Sequence, residues 1–289
     1  MTTALGIAQH CFGRVALLDM DSSLVHHAHH HCHILLKASG PDRLFAVGEQ
    51  YFPVREDTAV LVNPWQEHHY VHPDRAGRTR FLALYVEPAW LASLGPPLAD
   101  PQGKIFGGNW LAISADIVRL RDRLAECLAE EEASDIGHLV SELVIAIVHR
   151  GYAGAGQRQS KLQDFRIGRA IRELGRERSG RSNLDQLARV AGLSRPRFNQ
   201  LFRLCTGVSP AVYANALRVQ QAVQTLTSQL QPIGVVADRL GFSAQANFTR
   251  FFQQHTGVTP SHFRRVARAG ERGQRVLVGV PRARNRSRA

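Results

Sequence analysis

Residues 193–210, "LSRPRFNQLFRLCTGVSP", and residues 242–260, "FSAQANFTRFFQQHTGVTP", are near copies of one another within a single chain. Ala188 and Ala237, Gly192 and Gly241, and Ser194 and Ser243 stand 49 positions apart. After a slip of one residue, Leu201 and Phe251, Phe202 and Phe252, Thr206 and Thr256, Gly207 and Gly257, Pro210 and Pro260, and Tyr213 and Phe263 stand 50 apart. Such spacing marks the duplication of a supersecondary unit. Each copy reads as helix, tight turn, helix. In the first, Asn183 with Gln186 has the form of a capping box, Leu184, Leu187 and Ala188 face inward, and Gly192 supplies the turn. Ser194 is placed to cap the second helix, and Pro196 falls in its first turn, where a missing N–H costs little. In the second copy Pro232 opens a helix, Ala237 and Leu240 pack, Gly241 turns and Ser243 caps. The pattern predicts two helix-turn-helix units.

On a wheel of about 100° per residue, the second helix of the first unit puts Phe198, Leu201, Phe202 and Cys205 on one side. Pro196, Asn199, Gln200 and Arg203 fall opposite. The duplicate repeats this with Phe248, Phe251, Phe252 and His255 inside and Ala246, Thr249, Arg250 and Gln253 outside. Both outer faces carry amides and guanidinium groups and no acid. Asn and Gln pair bidentately with adenine and Arg with guanine, while Ala, Thr or Pro meets a thymine methyl, so such a stripe suits the major groove. A polar face turned merely to water is the alternative for one helix; two equivalent faces weigh against it.

Charge supports the same reading. Residues 1–150 carry 12 Lys and Arg against 18 Asp and Glu, a net −6, whereas residues 151–289 carry 24 against 6, a net +18. A basic half segregated this strongly has a polyanionic partner in prospect. The four cysteines, Cys11, Cys32, Cys127 and Cys205, have no C-x-x-C spacing, which argues against a disulfide framework or zinc finger. Cys127 and Cys205 fall on apolar helical faces. No apolar run approaches a membrane span and no signal peptide is recognisable, so a cytoplasmic protein without a membrane partner is expected.

The length of 289 residues suits two domains. The Gly-rich stretch "GYAGAGQRQSK" (151–161) reads as a linker. Upstream, "RVALLDM", "HILLKASG", "RLFAVGEQYFPV", "AVLVNPWQ" and "FLALYV", between residues 14 and 86, are short apolar runs set off by turn residues, the mark of an antiparallel sandwich or barrel. The period then changes. Ile113, Ile117, Leu120, Leu124 and Cys127, and Ile136, Val140, Leu143 and Ile147, form two narrow helical seams flanking "EEEASD". They either cover the sheet or form a dimer surface.

The stretch from "NLDQLARVAGLSRPRFNQLF" through "PIGVVADRLGFSAQANFTRFFQQHTGVTPSHFR" resembles, over about residues 184–264, the DNA-binding domain of the AraC/XylS family of bacterial transcription regulators. The resemblance implies a long helix at about residues 209–228 that holds the two units so that each second helix enters a successive major groove. It further implies base contacts from Arg195, Pro196, Asn199, Gln200 and Arg203, and from Gln245, Ala246, Asn247, Thr249 and Arg250. Pro196 and Ala246 depart from the bulkier polar residues often found there. Grooves recur about every 34 Å along one face, and about 20 helical residues span about 30 Å.

In the first half, "HHAHHHCHILLKASG" (26–40) and "VNPWQEHHYVHP" (62–73) resemble the cupin-like ligand domain of arabinose-type regulators. Overlaying the metal-binding cupin pattern places His27 and His29 at its H-x-H, His33 near its carboxylate position and His68 at its last ligand. Those histidines either bind a metal, with Cys32 favouring a softer ion if it faced inward, or line the barrel mouth without one. Because strand alternation turns Cys32 and His33 to opposite sides, it weighs against a shared ligand set. No cofactor is expected, and an organic effector would be bordered by Trp65, His68 and Tyr70.

The expected molecule is a multidomain α+β protein. Residues 1–150 form a cupin-like β-barrel with a helical pair, which senses an effector and dimerises. Residues 151–162 are a linker, residues 163–268 an all-α domain of two helix-turn-helix units joined by a long helix, and residues 269–289 a basic, disordered tail. Its partners are double-stranded promoter DNA, a small-molecule effector, a second copy as homodimer and, by resemblance, RNA polymerase. The expected function is sequence-specific, effector-controlled transcription regulation, by activation, rather than catalysis. The alternatives are a metal-dependent cupin enzyme fused to DNA-binding units and a non-specific nucleoid-type binder.

Overall fold

Strand alternation organises the first half. The computed structural model describes residues 2–73, 77–94, 104–130, 135–151, 164–176 and 183–277. Among the described residues the strands are β1 (Thr3–His10), β2 (Gly13–Met20), β3 (Leu24–His27), β4 (Cys32–Ser39), β5 (Arg43–Val47), β6 (Gln50–Val54), β7 (Thr58–Val62), β8 (His68–Tyr70), β9 (Thr79–Val86) and β10 (Trp110–Ala112). They pair antiparallel into a six-stranded sheet, β1-β2-β9-β4-β7-β10, and a four-stranded sheet, β3-β8-β5-β6. The expected cupin-like architecture is present, but as two sheets that are not closed into a barrel.

Every second residue of the large sheet chooses a different core, as the period of two requires. Val15 and Leu17, Cys32, Ile34 and Leu36, and Leu82, Leu84 and Val86 pack beneath helices α2 (Ala115–Ala129) and α3 (Ile136–Gly151). Ala16, Leu18 and Met20, Leu35, and Phe81, Ala83 and Tyr85 face the other way. Both helical seams, from Ile113 to Cys127 and from Ile136 to Ile147, lie in the first of these cores. Of the two readings of the seams, the structure has the sheet-covering one: this chain's own sheet packs against them. A short helix, α1 (Pro88–Ser93), adds Leu91 to the same layer.

In the second half, α4 (Phe165–Arg176), α5 (Leu184–Val190) and α6 (Arg195–Thr206) enclose Ile167, Leu187, Phe198, Leu201 and Phe202. Helix α7 (Pro210–Ser228) leads to α8 (Ile233–Arg239), α9 (Gln245–Thr256) and α10 (Pro260–Leu277). These are the two expected helix-turn-helix units. Gly192 (φ 66°) and Gly241 (φ 76°) make the turns, in the left-handed region that favours glycine. The caps differ in detail from expectation. Asn183 accepts from the Asp185 N–H, Ser194 sits at its cap position without a side-chain hydrogen bond, and Ala244 rather than Ser243 occupies the cap of α9. Ser209 does cap α7, accepting from the Val212 N–H.

The repeated "TGV(S/T)P" explains itself as a helix stop. Thr206 Oγ1 donates toward Phe202 O at 2.8 Å, and Thr256 Oγ1 toward Phe252 O at 2.8 Å. Gly207 (φ 87°) and Gly257 (φ 83°) then end α6 and α9, and a proline opens the next helix.

The two halves are packed together. Val236, Phe248, Phe252, Phe263 and Ala267 of the second unit join the core between the two sheets. His262 Nε2 lies 3.0 Å from both the N–H and the carbonyl oxygen of Ala4 on β1. The first unit keeps a separate core and meets the sheet domain through Trp65, whose indole stacks on Tyr213 at 4.2 Å. Of the expected linker only Gly151 is described, as the end of α3; most of "EEEASD" and residues 278–289 also lie outside the described residues. Helix α10 continues to Leu277, into the stretch read as tail.

Candidate DNA interface and interdomain cavity

The polar faces of α6 and α9 are largely exposed. On α6, Phe198, Leu201 and Phe202 are buried while Pro196, Asn199, Gln200 and Arg203 are exposed and Arg195 is half-buried. On α9, Phe248 and Phe252 are buried, Phe251 and His255 are half-buried, and Gln245, Ala246, Asn247 and Arg250 are exposed, with Thr249 half-buried. Cys205 and Cys127 are half-buried rather than fully in a core. Arg195, Asn199, Gln200 and Arg203 border one surface groove. Two of the arginines have protein partners: Arg195 Nη1 meets Asp185 at 2.6 Å, and Arg203 Nη2 lies 3.6 Å from Glu67 of the sensor. Asn247 donates to Ser243 at 3.1 Å.

A cavity of about 180 Å³ opens between the halves. Arg14, His27, His29 and Glu87 form one wall; Gln220, Gln224 and His255 form the other. Trp65, His68 and Tyr70, expected to border an effector, do not line it. Tyr70 is fully buried with its hydroxyl 2.9 Å from His72 Nδ1, and Trp65 is occupied by Tyr213. His68 stands behind the wall, its ring 4.3 Å from that of His27 and 4.9 Å from that of His29.

His27, His29 and His68 each offer a ring nitrogen within 4.8 Å of the others. His33 is adjacent, its ring 5.4 Å from those of His29 and His68. The Nδ1 atoms of these four face backbone carbonyls: Val25 at 2.7 Å, His31 at 3.2 Å, Gln66 at 2.8 Å and Leu84 at 3.1 Å respectively. A carbonyl only accepts, so Nδ1 carries the proton and Nε2 keeps its lone pair. The Nε2 atoms of His29 and His68 are buried without a hydrogen-bond partner.

Burial, followed by the neighbouring imidazoles, holds His27 and His29 well below the usual histidine range. It pulls His33 and His68 to about 3. All four rings are thus neutral at pH 7. Cys32, fully buried and pushed up to about 12 by burial, points into the helix-covered core, away from the histidines. At the cavity mouth Glu87 lies 3.2 Å from His30 Nε2 and 3.0 Å from His31 Nε2.

The turn that carries His68 is locked by amides. Asn63 Oδ1 accepts from the N–H groups of Ile105 and Phe106, and Gln66 exchanges side-chain hydrogen bonds with Asn109. Trp65 within it has φ 62°, the one positive value outside glycine among the described residues, and its N–H donates to His29 O at 2.8 Å. A tryptophan in that region is strained. Sequence reasoning missed Arg14, Glu87, Gln220 and Gln224 because they converge from distant segments without a local motif.

Two such halves, a pair of helix-turn-helix units and a two-sheet domain with a cavity between them, have the architecture expected of a ligand-responsive DNA-binding protein. Residues 19–144 match the model of the AraC-like ligand binding domain, and residues 187–266 that of a helix-turn-helix domain. The chain belongs to the AraC/XylS family of transcription regulators. It is 30% identical over 103 residues to the Escherichia coli K12 "RCS-specific HTH-type transcriptional activator RclR", an alignment covering 36% of each chain and so about a third of that relative's length. It is 22% identical over 241 residues to the E. coli "HTH-type transcriptional activator RhaS", covering 82% of this chain and 86% of that one. The crystal structure of unsaturated-fatty-acid-bound ToxT from Vibrio cholerae has the same fold, with a TM-score of 0.54 at 11% identity, covering 88% and 95% of the two chains. Among the described residues, no helix is long and apolar enough to cross a membrane.

Proposed function

We propose that the protein is a cytoplasmic, sequence-specific transcription activator, not an enzyme, whose grip on promoter DNA is set by an effector held in the interdomain cavity. The observation that carries this reading is the pair of equivalent exposed faces, on α6 and α9, within a half of net charge +18. Arg195, Pro196, Asn199, Gln200 and Arg203 contact one major groove, and Gln245, Ala246, Asn247, Thr249 and Arg250 the next. Helix α7, at 19 residues about 28 Å long, has the reach to separate them by nearly one turn of DNA. Activation is supported by the names of RclR and RhaS, both called activators.

The cavity is where an effector would be felt, because its walls come from both halves. Its occupant touches α7 and α9 directly, and differential contact with two domain arrangements is what lets a ligand shift an equilibrium. A homodimer and a contact with RNA polymerase complete the proposal; with the α2 and α3 seams buried, the dimer uses another surface.

Fluorescence anisotropy on a selected operator duplex and on a random duplex of equal length tests the reader. Tighter binding to the operator, with the difference reduced by Asn199→Ala and by Arg250→Ala, is expected. Equal affinity for both duplexes would instead make the protein a non-specific binder.

A further inference from the structure

We infer that His27, His29 and His68 bind one divalent transition-metal ion of the zinc, nickel or copper kind through their Nε2 atoms, with a fourth position facing the interdomain cavity. This rests on the proposal that the cavity is the effector site, and it names the chemistry of that effector.

The three ring nitrogens lie within 4.8 Å of one another. Tetrahedral coordination with bonds of about 2.0–2.1 Å needs about 3.4 Å between ligand atoms, a closure within the reach of side-chain torsions. The ligands are already oriented for it. Each Nδ1–H is anchored on a backbone carbonyl, the outer-shell arrangement that fixes the tautomer of a metal-bound histidine. His68 is fully buried and its Nε2 has no hydrogen-bond partner, a cost that an ion would remove. The donor set chooses the metal: imidazole nitrogens without thiolate suit zinc, nickel or copper(II), not magnesium or calcium.

The site lies beside the helical half. His255 of α9 lies 6.5 Å, ring to ring, from His27, and the His29 carbonyl is held by Trp65, whose indole stacks on Tyr213 of α7.

Metal-free full-length protein equilibrated with cobalt(II), and separately with zinc(II), should take up one ion per chain, and cobalt should show the visible bands of a low-coordinate nitrogen site. His68 lies outside the "HHAHHHCH" run, so His68→Gln separates this site from surface chelation by that run. The variant should lose about a hundredfold or more in affinity, since even outer-shell changes cost 10–100-fold. His138→Gln, on the exposed face of α3, should lose nothing. If circular dichroism shows His68→Gln unfolded, His29→Gln at the cavity wall takes its place with the same expectation.

Absence of saturable uptake, or uptake indifferent to these substitutions, would overturn the inference. Operator discrimination measured on the same samples keeps the two readings apart. A chain that binds no ion yet separates operator from random DNA refutes the metal site alone, whereas a chain that binds one ion without discrimination refutes the reader.

Discussion

Arg250 concentrates the specificity argument in one side chain: it is exposed on α9, above buried Phe248 and Phe252. Arg250→Ala should weaken operator binding by about 1–3 kcal/mol while changing affinity for random duplex much less, as expected of a base contact. Equal losses on the two would assign Arg250 to the phosphates. The cysteines give a second test of the fold at this scale. Cys32 is sealed in the helix-covered core with its thiol pushed up to about 12, while Cys11 is exposed. Because the thiolate is the reactive form, a thiol-reactive dye applied to native protein at neutral pH should label Cys11 quickly and Cys32 only after denaturation. Fast native labelling of Cys32, read by peptide mass, would contradict the strand register. That register was legible: alternation alone sends Cys32 and His33 to opposite faces, and the structure does so. Trp65 was not, because its contacts with Tyr213 and His29 follow from a loop conformation that no local pattern announces.

At the scale of elements, the duplicated helices predict duplicated energetics. Phe202 and Phe252 are both fully buried, and Phe→Ala at either should cost about 3–5 kcal/mol through lost burial and the cavity left behind. The two differ in what they report. Phe202 belongs to the core of the first unit, whereas Phe252 belongs to the core shared with the sensor. Thermal unfolding of Phe252→Ala should therefore disturb sensor and reader signals together, and Phe202→Ala chiefly the reader. Identical profiles from the two variants would count against the shared core.

The turn at 63–67 is a further lever. Glu67 lies 3.6 Å from Arg203, which is 64% exposed, so the pair contributes at most about 1 kcal/mol. Glu67→Gln should release Arg203 toward DNA and tighten operator binding by about fivefold or less. Weaker binding would show that Glu67 positions Arg203 rather than restrains it.

Strong periodicity made most of these elements readable. The runs at β2, β4, β5, β6, β7 and β9 and the helices α2, α3, α6 and α9 follow apolar spacing in the sequence, whereas α7 was implied by the family resemblance. Strands β1, β3, β8 and β10 escaped it. Three are short, two of those rich in histidine, and β1 carries Gly6, Gln9 and His10, so their pairing rests on neighbours rather than on their own pattern.

On the scale of the whole molecule, the two glycines that end α6 and α9 sit against the sensor. A side chain at Gly257 would meet Thr2, and one at Gly207 would approach the Trp65 carbonyl. The duplication thus supplied two stops that also serve as docking points, while the outer faces stayed free for DNA. That docking was invisible in the sequence: Ala4 and His262, which meet at 3.0 Å, are 258 positions apart. The charge division was visible, and it carries a further expectation. Operator affinity should fall steeply between 50 and 200 mM salt, as released counterions require, by about a thousandfold if six phosphates are contacted. A flat salt response would remove the electrostatic basis of binding.

The central claim is that one chain reads two neighbouring major grooves. Selection of bound fragments from random or genomic DNA by the purified protein, followed by hydroxyl-radical footprinting of the winning site, tests it most directly. The account predicts a motif of two blocks centred about 10–10.5 base pairs apart, protected on one face of the duplex, with the sequence preference of one block relaxed by Asn199→Ala and that of the other by Arg250→Ala. A single short block, or enrichment without sequence preference, would contradict it.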